Sequence, residues 1–168
     1  TGVYFYTQSR QDITQNPPPE DTTEQTPITI TSEEIREENY TGSRPAIAGE
    51  SKLADAARVY VENLVARFAA QADADVPAMR QDWGEDSPAA SYNIEIGAKL
   101  VEGEQTKSII ITEYVYTGGA HGSSSYKTFT ASFRGGELLS LSDIVKEESE
   151  TAFTELVKEK LNAFRPSD

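Results

Sequence analysis

The sequence predicts an α+β domain in which an antiparallel sheet, laid out as a meander, carries two amphipathic helices packed on one face. Three observations predict it. Leu53, Ala57, Tyr60, Val61, Leu64, Val65 and Phe68 recur at three- and four-residue steps, the period of a helix with one apolar stripe. Tyr92, Ile94, Ile96, Ala98 and Leu100 then alternate strictly, the period of a strand with one buried face. Phe153, Leu156, Val157, Leu161 and Phe164 return to the helical period, and Pro166 closes that helix.

The remaining elements follow in chain order. Ile28-Thr29-Ile30-Thr31 is a short alternating strand, and residues 40–48 form a less regular extended segment that contains Pro45. Ser51 is placed to cap the first helix. Residues 71–90 hold Asp73, Asp75, Pro77, Gly84, Asp86 and Pro88, which reads as a loop with one helical turn around 79–83. Glu102-Gly103-Glu104 turns the chain into residues 108–116, where the run Ile109-Ile110-Ile111 marks a central strand pairing antiparallel with the one before it. Residues 126–133 alternate as a third strand of that meander, and Arg134-Gly135-Gly136-Glu137 supplies another tight turn. Leu138, Leu139 and Leu141 are a short apolar return, after which Ser142-Asp143-Ile144 opens a helical stretch. No internal repeat occurs at a fixed period.

Composition narrows the functional classes. A length of 168 residues suits one core and a tail. Twenty-eight Asp and Glu against 15 Lys and Arg leave a formal charge of -13, which opposes nucleic-acid binding. The absence of cysteine removes disulfides, thiolate nucleophiles and Cys-based zinc sites, and leaves the compartment open. The glycines at 118–122 lead into a strand rather than a helix, so no phosphate loop is built on them.

Apolar residues are unevenly distributed. Gly2-Val3-Tyr4-Phe5-Tyr6 is apolar and aromatic and turns abruptly polar at Thr7, so residues 1–6 read as the end of a transmembrane segment. Residues 7–27, with Pro17-Pro18-Pro19 among Thr and Gln, read as a disordered Pro-rich linker or stalk. Residues 28–168 then form the single α+β domain.

The segment Tyr116-Thr117-Gly118-Gly119-Ala120-His121-Gly122 joins two strands and contains the sole histidine. Its glycines permit positive φ and close backbone approach. Tyr116, Gly118, Gly119, His121, Ser123 and Tyr126 are the candidate binding residues, with Tyr114 added where an aromatic recognition surface is considered. Pairing of His121 with Ser123, Ser124 or Ser125 would suggest hydrolysis, but no orienting carboxylate or oxyanion hole is apparent, so no catalytic residue is assigned. Asp73, Asp75, Glu85 and Asp86 form no metal-ligand spacing with His121, and neither a metal nor a cofactor is assigned. Trp83 is either a surface anchor or a plug at the end of the core.

With Phe129, the Gly135-Gly136-Glu137 turn and Leu139-Ser140-Leu141-Ser142-Asp143-Ile144, the Thr-Gly-Gly-Ala-His segment resembles a bacterial family of unknown function. The resemblance covers roughly residues 28–165. That family includes the extracellular domain of a lysozyme-binding anti-sigma factor and the non-catalytic domain preceding the deacetylase domain of some peptidoglycan deacetylases. It implies an extracytoplasmic, membrane-tethered binding or sensing domain whose partner is a protein or a cell-wall ligand. The alternative it implies is a cell-envelope hydrolase, or an accessory domain of a peptidoglycan-modifying enzyme. Members of the family continue past the last helix, so a C-terminal truncation is expected here.

Overall fold

A computed structural model describes residues 27–84, 87 and 90–163. The expectations for residues 1–6, for nearly all of the linker at 7–27 and for the closing Pro166 lie outside the described residues.

The chain is α+β, with a six-stranded sheet in the sequential order β1 to β6. Strands β1 (Thr29–Arg36) and β2 (Tyr40–Ala48) precede helix α1 (Lys52–Trp83). Strands β3 (Tyr92–Glu102), β4 (Thr106–Tyr116), β5 (Ser123–Ser132) and the two-residue β6 (Leu138–Leu139) follow it. Helix α2 (Leu141–Ile144), a 3-10 turn at Glu147–Ser149 and helix α3 (Glu150–Ala163) end the described chain.

Neighbouring strands pair antiparallel except β2 and β3, which run parallel from Tyr40↔Tyr92 to Ser43↔Glu95. The sheet is thus not a pure meander. Its parallel step has a direct cause: α1 lies between β2 and β3 in sequence, and a helical crossover returns the chain in the same direction. Gly42 makes the pairing possible, because a Cβ there would lie 1.8 Å from the Ile94 carbonyl oxygen.

Helix α1 begins where the sequence indicates, with the Ser51 hydroxyl accepting the Ala54 N–H at 3.1 Å. It continues for 32 residues, through the segment expected to be a loop. The reason is packing: Phe68, Ala72 and Val76 extend the buried stripe at four-residue steps, while Asp73 and Pro77 face outward. Solvent can satisfy the Asp73 carbonyl that lacks an N–H partner at Pro77. Three latches hold this half of the helix, one of them the Asn39 amide donating to Asp73 at 2.9 Å. The Tyr92 hydroxyl donates to Asp75 at 2.7 Å, and Arg80 donates to the Glu38 carbonyl at 2.8 Å and to Asn39 at 3.2 Å.

At about 1.5 Å per residue α1 is about 48 Å long, and it crosses the sheet to touch β2, β3, β4 and β5. Ile94, Ile96, Ile109 and Ile111 meet it as the centre of the core. Phe68 adds an edge-on contact to Tyr40 at 5.5 Å and a tilted one to Tyr92 at 5.7 Å. With that face crossed by one long helix, α3 is placed differently from the expectation that two helices share it. The main neighbour of α3 is the preceding 3-10 turn, and Leu156 and Val157 remain exposed. Among the described residues no helix is long and apolar enough to cross a membrane.

Candidate functional site

The two faces of the sheet differ sharply. Toward α1, cross-strand pairs Ile94↔Val115, Ile96↔Glu113, Ala98↔Ile111 and Leu100↔Ile109 form the core side. On the other side the rows are polar and aromatic. One row runs Ser43, Glu95, Tyr114, Ser124 across four strands, and the next runs Gly97, Thr112, Tyr126. Together with Ser32 these residues line an open groove of about 380 Å³.

Gly97 fits the centre of the groove to its cross-strand neighbour Thr112. A Cβ at this position would sit 2.6 Å from Thr112 Oγ1, so the glycine makes room for the Thr112 side chain, whose hydroxyl lies over it. Tyr114 and Tyr126 stand on diagonal positions of β4 and β5, about 7–8 Å apart by sheet geometry. Tyr126 is 75% exposed and Tyr114 39%, so both present ring surface to solvent.

The glycine loop supports this wall of the groove. Gly118 and Gly119 adopt φ of 82° and 102°, which a side chain would oppose. Gly122 serves a different need: a Cβ there would lie 2.4 Å from Tyr114 Cζ, so the bare backbone lets the ring settle against it. Tyr116 donates its hydroxyl to the Gly119 carbonyl at 3.0 Å. His121 Nδ1 lies 3.1 Å from the Gly122 carbonyl oxygen, and since a carbonyl only accepts, Nδ1 carries the proton. Tyr116, Gly118, Gly119 and His121 are thus brought together as a loop that seats Tyr114. Tyr126 lies on the same open face, whereas Ser123 pairs with Val115 in a row that faces α1.

A second polar cluster lies on the core side and was not visible as a site in the sequence. Glu113 is buried, and its carboxylate accepts the Tyr60 hydroxyl at 2.5 Å and the Ser125 hydroxyl at 2.8 Å. The hydrogen bond to Glu113 raises the Tyr60 pKa above its ordinary value, and burial adds to the shift. The Tyr60 ring meets Phe129 edge-on at 5.6 Å, and the Lys127 ammonium lies 5.4 Å from the Phe129 centroid. This arrangement joins α1 to β4 and β5. Its one sequence signal is a carboxylate at an inward position, after Ile109 and Ile111.

The hydroxyl of Ser125 is therefore directed to Glu113, and His121 to a backbone carbonyl. Among the described residues no group of three or more His, Asp or Glu side chains is gathered around a possible metal position. The groove residues that sequence reasoning missed are Ser32, Ser43, Glu95, Gly97 and Thr112, and Ser124 was weighed only as a partner of His121. The interior glycine of β3, at an outward position two residues after Glu95, was the signal for Glu95, Gly97 and Thr112.

No protein-family model matches the sequence. The chain is 29% identical over 130 residues to the peptidoglycan-N-acetylmuramic acid deacetylase PdaC of Bacillus subtilis (strain 168). The alignment covers 73% of this chain and 26% of that protein, so the chain spans about a quarter of the relative's length. Among solved structures, a DUF3298 family protein of Pseudomonas aeruginosa PAO1 superposes with a TM-score of 0.49 at 18% identity, covering 82% of this chain and 65% of that one. A DUF3298 family member from Bacteroides fragilis NCTC 9343 also gives 0.49, at 17% identity, covering 82% and 69%.

Proposed function

We propose that this chain is an extracytoplasmic binding domain that engages a cell-envelope component on the open face of its sheet. The groove lined by Glu95, Gly97, Thr112, Tyr114, Ser124 and Tyr126 is the observation that carries this reading. It is concave, offers aromatic surface between hydroxyl groups, and is braced by a loop whose glycines have defined geometric tasks. Similarity to part of a peptidoglycan deacetylase supports the envelope as its setting and an accessory role beside a peptidoglycan-modifying enzyme. The apolar start at residues 1–6 and the proline-rich 7–27 support a membrane anchor and stalk that hold the domain outside the cell.

Binding rather than catalysis fits the loop chemistry, because His121 bonds to backbone and Ser125 to Glu113. A protein ligand on this face is the other outcome to be tested. Co-sedimentation with purified peptidoglycan sacculi separates the two. The reading expects the wild-type chain in the pellet and a Tyr114→Ala, Tyr126→Ala double variant in the supernatant. Wild-type protein that stays wholly soluble with sacculi would contradict an envelope-glycan ligand.

A further inference from the structure

We infer that the groove selects an amino sugar carrying a free amine, a de-N-acetylated unit within a cell-wall glycan, with Glu95 as its specificity-determining residue. This rests on the reading of the open face as a glycan-binding surface. The groove and the exposed rings of Tyr114 and Tyr126 suit a pyranose, whose C–H face stacks on an aromatic ring while its hydroxyls reach edge groups. Thr112 and Ser124, beside those rings, supply hydroxyls that both donate and accept.

Charge selects among sugars. Glu95 is exposed, stands directly opposite Tyr114 and lines the groove, and no Lys or Arg is among the residues that line it with Glu95. The cation on this face of β3 is Lys99, which lies beyond the Gly97 row, opposite Ile110. A carboxylate without a cation repels an anionic sugar, gains little from an acetamide and pairs with a protonated amine. The ammonium also gains from the faces of the two tyrosines.

The test is titration of the chain with two probes of equal length, a β-1,4-linked glucosamine hexamer and its fully N-acetylated counterpart. Wild type is expected to prefer the amine form by about tenfold, the effect of one charge-assisted hydrogen bond. Glu95→Gln should bring the ratio near one without weakening the N-acetylated hexamer. Tyr126→Ala, at a position 75% exposed and thus harmless to the core, should weaken both hexamers. Gly122→Ala should do the same by displacing Tyr114. Equal binding of the two hexamers by wild type overturns the inference. So does a preference that survives Glu95→Gln, since that is diffuse attraction to an acidic chain. If sacculi still pellet the wild-type chain in either case, only the amine selectivity fails; if they do not, the glycan reading fails with it.

Discussion

At the scale of single residues, the inward-facing carboxylate of Glu113 is the one buried charged group among the described residues, and both of its hydroxyl partners come from other elements. Glu113→Ala would leave the Tyr60 and Ser125 hydroxyls without their acceptor, and should lower unfolding free energy by about 1–3 kcal/mol in urea titrations. Glu113→Gln keeps an acceptor oxygen and should cost less. Tyr92 predicts a pH dependence. Burial, reinforced by the hydrogen bond to Asp75, raises its hydroxyl from an ordinary value of 10.0 to about 12. Between those values the folded state holds a proton that the unfolded state has released, so stability falls as pH rises through that window. Urea midpoints measured from pH 9 to pH 12 should show that fall, and Tyr92→Phe should make it shallower.

At the scale of elements, the parallel pairing of β2 with β3 is the tightest backbone approach. Gly42→Ala would place a methyl group against the Ile94 carbonyl, at a φ of 155° that side chains avoid, with no flexible neighbour able to yield. A loss of more than about 3 kcal/mol, or failure to fold, is expected by circular dichroism melts. Pro77→Ala should act in the opposite direction, restoring an N–H to the exposed side of α1 and raising stability by about 1–2 kcal/mol. These two elements also show where sequence reading stopped. The alternation in β3, β4 and β5 was legible because a period of two survives with large apolar residues such as Ile94 and Ile111. The second half of α1 was not, because its stripe narrows to Ala72 and Val76 among Asp73, Asp75 and Pro77, whose composition favours a loop. The parallel step was hidden because strand direction depends on how a crossover packs, not on residues within either strand. The groove itself was half legible: the loop glycines and Tyr126 stood out, but Glu95 and Gly97 gained meaning only once register placed them beside Tyr114 and Thr112.

At the scale of the whole molecule, the two faces of the sheet differ in character. One face is spent on the core under α1, which leaves the other free to carry polar and aromatic rows across four strands. Under the proposed function, stability and recognition can vary separately, because Tyr126 and Glu95 are exposed while Ile94 and Ile111 are buried. The most direct measurement is amide chemical-shift mapping of the isotopically labelled chain titrated with soluble peptidoglycan fragments. The account predicts shifts concentrated at Glu95, Gly97, Thr112, Tyr114, Ser124 and Tyr126, spreading to Gly122 and His121 in the bracing loop, with α3 unmoved. Shifts confined to α1 or α3, or none at saturating fragment, would contradict it.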